Sequence, residues 1–372
     1  MRLSLEDLRR DYMAERRRER RQFLLAGAVT LAVFLLSCGF RANAWAYPDK
    51  FVPLIYLKNY ALAVRVALGR ALPPASGEAR VLYLGALSRL RGTAMALLSG
   101  AGLALAGAVF QNAWRNPMAS PGMLGATAGV RLGNVLLISL FSAAAIDHIA
   151  LRYLFCYGFS ALCVGFVMLL GKLAGGRSRE TSVLEMIMAG SVLSSGLNVV
   201  TMYLMYQLED EALLLYEELS FGMIEQTDAV SNAIFFAVML CALIPLLALR
   251  TRLNLLGADR LESASMGVNT APLRILAQLC GAIVAVCAMV HCGELGMLSL
   301  VVPHAVRRFA GADMRRVCVF SALAGGSVMM LARLLCSFFR ILSEPIPVAF
   351  FVNLFLLPVF VLILARGKGE LA

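Results

Sequence analysis

Ten apolar runs, most of them about 20 residues long and nearly free of charge, recur along this 372-residue chain. About 20 apolar residues in a helix cross the ~30 Å hydrocarbon layer of a bilayer. Lipid offers no partner to a bare amide, so each run must satisfy its own backbone groups as a helix. The pattern therefore predicts an all-α, polytopic membrane protein with about ten transmembrane helices. Composition agrees: 60% of residues are hydrophobic and 15% charged, with a mean hydropathy of +0.77, where a soluble domain carries about 25% charge. The spans are expected near 22–40, 93–112, 122–142, 150–171, 183–206, 229–249, 273–292, 296–310, 317–337 and 347–365.

The net charge of +11 does not describe a nucleic-acid face, because the basic residues lie at the ends of apolar runs. That distribution follows the positive-inside tendency. Arg115, Lys172, Arg177, Arg179, Arg250, Arg252, Arg307, Arg308, Arg315, Arg316, Arg366 and Lys368 fall on one side. The opposite connection, 207–228, holds seven acids and no Lys or Arg. Both termini are thus expected in the cytoplasm, with residues 1–21 a basic cytoplasmic N-terminus and 22–372 a single transmembrane domain. The Arg-rich start, the run Phe23 to Phe40 and Ala44-Trp45-Ala46 resemble a signal peptide. The run is long enough to span and more helices follow, so an uncleaved first helix is expected. Residues 41–92 are expected as an extracytoplasmic loop. Within it, 51–71 places Lys58 and Arg65 on one helical face, which suits an interfacial helix; a further span is the competing reading.

One stretch breaks the apolar pattern. Gln111, Asn112, Arg115, Asn116, Pro117 and Pro121 lie between two runs, and irregular backbone at membrane depth survives only against protein or water. A passage for cargo is the functional reading. Small residues crowd the second span (Gly100, Gly102, Gly107) and the ninth (Gly325, Gly326), where close helix approach is the plain explanation. The nine cysteines show no paired metal-ligand spacing. Cys287 and His291 share a helix face, and packing is the reading preferred over ligation. No Gly-x-x-x-x-Gly-Lys-Ser/Thr loop occurs, so the chain is not expected to hydrolyse ATP itself. It is read as a transport subunit rather than an enzyme.

Three ordered motifs carry a family resemblance. Leu105-Ala106-Gly107-Ala108-Val109-Phe110-Gln111 precedes Arg115-Asn116-Pro117-Met118-Ala119-Ser120-Pro121 and Leu124-Gly125. Leu253-Asn254-Leu255-Leu256 leads to Ser265-Met266-Gly267-Val268. Leu298-Ser299-Leu300-Val301-Val302-Pro303-His304 is followed by Arg307 and by Gly311-Ala312-Asp313. Together they resemble the FecCD-type permease subunits of ABC importers for iron-siderophores, haem and cobalamin, a type II importer fold. The resemblance implies a second permease copy (a homodimer), two cytoplasmic ABC ATPases using ATP and Mg, an extracytoplasmic substrate-binding protein and a bacterial cytoplasmic membrane. No cofactor or metal is expected on this chain.

The resemblance also implies roles. Segment 251–272 is the coupling segment for the ATPase: Gly257 and Gly267 bracket Ala258, Asp259, Arg260, Leu261, Glu262, Ser263, Ala264, Ser265 and Met266. A solvated loop is the bland alternative. Asn116, Pro117 and Met118, with Thr181 and Ser182, match the residues that narrow the cytoplasmic exit; helix capping is the alternative for Asn116, Thr181 and Ser182. Arg89 matches an arginine that meets the binding protein, with Arg91 and Arg340 as further contacts; snorkelling arginines are the alternative. Departures from the family pattern, including Met118 for Leu and Arg333 where an acid is common, bear on cargo more than on fold. The alternative class is an ion-coupled secondary transporter, which usually needs an ionisable residue near midplane; the spans are almost free of acids.

Overall fold

A computed structural model describes residues 5–39, 53–67, 69–141, 149–174, 183–222, 229–257, 270–341 and 344–367. Its helices are α1 (Leu5–Gly39), α2 (Pro53–Ala67), α3 (Gly77–Ala113), α4 (Ala126–Phe141), α5 (Ile149–Ala174), α6 (Val183–Tyr206) and α7 (Asp210–Phe221). They continue with α8 (Ala229–Ala248), α9 (Asn254–Gly257), α10 (Ala271–Cys292), α11 (Gly296–Ala310), α12 (Met314–Phe338) and α13 (Val348–Gly367). Each of the ten expected spans coincides with one of these. Among the described residues seven helices are long and apolar enough to cross a membrane, and the apolar stretches Ala126–Phe141 of α4 and Val348–Ile363 of α13 are shorter. Among the described residues the only β structure is the antiparallel pair Arg340–Ile341 with Glu344–Pro345.

The axle of the bundle is α3, whose apolar and small residues face neighbours on every side. Its main contacts are with α12, then α10 and α11. Side chains too small to keep backbones apart make this possible. A Cβ at Gly100 would lie 2.3 Å from the Gly325 carbonyl oxygen of α12, and one at Gly107 only 1.7 Å from the Ser299 carbonyl of α11. Helix association in lipid relies on such close packing, since lipid tails are as apolar as the side chains. Interhelical polar contacts add to it: Thr30 and Ser327 hydroxyls are 3.0 Å apart, and the Ser160 hydroxyl donates to Ala126 O at 2.9 Å. The crowded small residues of the second and ninth spans are thus packing surfaces for each other.

The described basic residues up to 21 are the first turns of α1, which runs unbroken from Leu5 into the apolar run. One sequence expectation is corrected. The second span starts sixteen residues early, at Gly77 rather than 93, so 77–92 belongs to a helix and not to a 41–92 loop. Arg89 and Arg91 lower local hydropathy, but helix formation depends on backbone geometry and not on hydropathy. The break does fall where Pro73-Pro74 ends, with Ser76 extended at the helix start. Finally, the acidic 207–228 connection contains α7, with Asp210 and Glu211 at its positive end. Tyr216 and Leu219 of α7 pack on Leu132, Val135 and Ile138 of α4 in a small second core. Within 51–71, α2 has 15 residues, about 22 Å at 1.5 Å per residue and short of the ~30 Å core. Its Lys58 and Arg65 are exposed, in line with an interfacial helix.

Candidate functional site: the broken loop and its polar node

The loop begins where α3 ends, and its first turn is built by backbone bonds. Arg115 has φ 49°, the left-handed conformation that closes a helix. Asn116 N donates to Gln111 O at 3.1 Å and Arg115 N to Asn112 O at 3.3 Å. This pair of bonds is a Schellman motif, with Pro117 following where the helix cannot continue. Glycine normally takes the left-handed place, and an arginine there costs about 1 kcal/mol. Asn116 Oδ1 then accepts from Met118 N at 2.9 Å, and Asn116 O from Ala119 N at 3.1 Å. The side chain shapes a tight turn rather than capping the next helix.

That turn projects Pro117 and Met118 outward while pulling Ala119, Pro121 and Leu124 inward. Met118 is 43% exposed and Ala119 and Leu124 are fully buried. The chain passes through a single 3-10 turn, Pro121–Leu124, closed by Gly125 at φ 77°. Helix α6 presses directly on it, for a Cβ at Gly190 would sit 1.8 Å from Met123 O. Thr181 and Ser182 lie outside the described residues, just before α6 begins at Val183.

The last turn of α3 bonds to α11 and to the corner that leads into α9, and that corner bonds in turn to the start of α12. Gln111 Nε2 donates to Leu300 O at 2.9 Å. Arg307 of α11 donates through Nη1 to Gln111 Oε1 at 2.7 Å and through Nη2 to Ala108 O at 2.9 Å. Asn112 Nδ2 donates to Leu253 O at 2.6 Å, in the corner that leads into α9. The next residue continues the network: Asn254 Nδ2 donates to Asp313 Oδ1 at 3.0 Å, and Asn254 Oδ1 accepts from Met314 N at 2.7 Å. Asp313 caps α12 by accepting from Arg315 N at 2.9 Å. The Arg315 guanidinium, and then Asn254, hold the Asp313 carboxyl well below the usual carboxylate range. The contacts among Gln111, Asn112, Asn254, Arg307 and Asp313 are not encoded by spacing, because the partners are about 60 to 200 residues apart.

Of the segment expected to couple to the ATPase, 251–272, residues 251–257 and 270–272 are described. Gly257 ends α9, packed so that a Cβ would stand 2.7 Å from Asn112 Oδ1. Ala258 through Gly267 lie outside the described residues. Even so, α9 delivers the segment from a corner bonded to the helix that carries the broken loop.

At the opposite end of α3 one expected contact is corrected. Arg89 is 8% exposed and so offers no rim charge, whereas Arg91 is exposed. Arg333 of α12 is buried nearby, 6% exposed, and its Nη1 donates to Thr93 Oγ1 at 3.1 Å. The missing side chain of Gly92 makes room for it, since a Cβ there would be 2.5 Å from Arg333 Nη2. The backbone of Arg340 is paired with Pro345 in the short hairpin before α13. The Cys287–His291 stripe is spent on packing. His291 Nδ1 lies 2.9 Å from the Cys287 carbonyl, which can only accept, so Nδ1 donates and Nε2 accepts from the Tyr153 hydroxyl at 2.8 Å.

Comparison with known proteins adds the family. A Helicobacter pylori protein named "probable iron chelatin transport system permease protein" is 29% identical over 284 residues, covering 76% of this chain and 82% of that one. The molybdate import system permease protein MolB of Haemophilus influenzae is 33% identical over 241 residues, covering 63% and 68%. The fold matches that of a solved metal-chelate type ABC transporter in an inward-facing conformation, with a TM-score of 0.72 and 23% identity over 93% of this chain and 99% of the other. The FecCD transport family matches residues 65–366, most of the chain. This protein, an all-α polytopic membrane protein and an ABC transporter permease, belongs to the FecCD transport family.

Proposed function

We propose that the chain imports an iron chelate or haem across a bacterial cytoplasmic membrane, with both termini in the cytoplasm. It works as one of two identical permeases above two ATPases that use ATP and Mg, and receives cargo from an extracytoplasmic binding protein. The observation that carries this reading is the Asn112–Leu253 bond. It ties the corner that delivers the coupling segment to the helix that ends in the Asn116–Met118 loop. A rigid-body push on residues 258–267 would reach that loop through packed helix ends rather than through flexible chain. Asn116, Pro117 and Met118, with Thr181 and Ser182, form the cytoplasmic gate, and Met118 supplies a soft apolar plug. Arg91 and Arg340 dock the binding protein, steering its approach more than adding affinity.

The cargo reading is supported by the iron chelatin name of the Helicobacter relative; the molybdate relative marks the rival cargo. Glu185 buries one carboxylate oxygen, but in the first turn of α6 and so away from the middle of the span, which disfavours ion coupling. The test is reconstitution with the cognate ATPase and binding protein. Replacing 258–266 by a Gly-Ser linker should release the ATPase and stop uptake; retained association and uptake refute the coupling role. Titrating the binding protein with ferric chelates, haem and molybdate decides the cargo, and molybdate binding alone would overturn the chelate reading.

A further inference from the structure

We propose that the cleft between the charged end of α1 and the start of α12 binds the headgroup of an anionic phospholipid. The cleft has a volume of about 940 Å3. Arg16, Arg17 and Arg20 of α1 line one wall, and Arg250, Arg315 and Arg316 the other. Two carboxylates oppose these six: Glu19 is paired with Arg316, and Asp313 with Arg315 at 2.7 Å. A formal charge of +4 remains, and the positive end of α12 adds to it. Arg17 and Arg20 are exposed, and a guanidinium can hold a phosphate in a two-pronged way.

The depth and the second wall choose a lipid over a soluble anion or an acidic protein. Arg20 and Arg16 lie three and seven residues before Phe23, about 5 and 10 Å along the helix at 1.5 Å per residue. Arg20 therefore falls within the headgroup layer, which is about 5–7 Å deep on each side of a bilayer, and Arg16 just beyond its outer edge. The cleft floor is apolar, with Phe23 and Phe320 in edge contact at 6.5 Å. Above it Leu24, Leu25, Val29 and Leu31 of α1 are 57–60% exposed, a track for acyl chains. Basic pockets between membrane helices recognise anionic headgroups by this combination. A bound lipid would staple α1 to α12 beside Arg250, next to the corner that leads into α9.

The test uses the full chain, stripped of lipid in detergent and titrated with phosphatidylglycerol or phosphatidylcholine of the same acyl chains, with bound lipid counted by native mass spectrometry. Phosphatidylglycerol should bind at least about tenfold tighter, and the Arg16→Gln, Arg17→Gln, Arg20→Gln triple variant should lose that preference, at about fivefold per arginine. A Lys58→Gln, Arg65→Gln control on α2 should keep it. If the triple variant fails to fold, Arg17→Gln alone should weaken binding severalfold. Equal affinity for the two lipids, or phosphatidylglycerol binding untouched by the arginine substitutions, overturns the proposal. So does protection by inorganic phosphate alone that matches phosphatidylglycerol. Loss of ATPase association in the variants with lipid binding unchanged would assign the cleft to a protein partner instead.

Discussion

Helices α3 and α6 are both apolar and both of membrane-spanning length, yet they do opposite work. Of the most apolar 18-residue stretch in each, 78% is buried inside the chain in α3 and 11% in α6. Hydropathy, at 1.8 against 1.4, does not separate them. What separates them is the size of the side chains: α3 carries glycines against neighbouring backbone, while α6 turns Val192, Val199, Met202 and Tyr203 outward. One is the fixed hub of the protein. The other offers a surface to lipid or to a second copy, and meets the hub's broken loop at Gly190, Leu193 and Ser194.

The comparison can be broken most directly with matched glycine substitutions. Gly107→Leu drives a side chain into the Ser299 carbonyl and should cost about 3 kcal/mol or more, leaving little folded protein. Gly196→Leu on α6, with nothing within 4 Å, should stay within about 0.5 kcal/mol. Thermal unfolding in lipid discs compares the two, and equal losses would erase the distinction between hub and surface. Next in size is Arg307→Met, which strands Gln111 Oε1 and Ala108 O in a part-buried site and should cost about 2–3 kcal/mol.

Acid should loosen the polar end of the hub before its glycine-packed middle. Because Arg315 and Asn254 depress the Asp313 carboxyl, its contribution is present above the unfolded value of about 3.9 and fades as pH falls below it. The Tm advantage of the wild type over Asp313→Asn should therefore be constant from pH 7 to about 5 and shrink below about 4. A constant difference down to pH 3 would show that the carboxylate is not engaged. The smallest effect expected is a gain: Arg115→Gly relieves the left-handed turn and should stabilise by about 0.5–1 kcal/mol.

The two regions also differ in how far the sequence betrays them. The ten helices follow from apolar runs, and the broken loop from its prolines and amides. The hub's start was hidden because Arg89 and Arg91 interrupt hydropathy without interrupting the helix. Arg89 consequently looked like a rim contact, although tertiary packing buries it. The helix stop at Arg115 carries no glycine signal, since the Schellman bonds hold a residue that intrinsic preference would exclude. The polar node was least legible of all. Gln111 meets Arg307, and Asn254 meets Asp313, only because distant helix ends converge, and no local spacing encodes that meeting.

The central claim is that the coupling corner and the gate loop are one mechanical unit, joined at Asn112. The direct measurement is Asn112→Leu in the reconstituted importer, reading ATP hydrolysis and cargo uptake together. The side chain keeps its branched shape while the 2.6 Å bond to Leu253 O is lost. The account predicts that the ATPase still assembles and hydrolyses while uptake per ATP falls severalfold. Uptake per ATP equal to that of the wild type would contradict it.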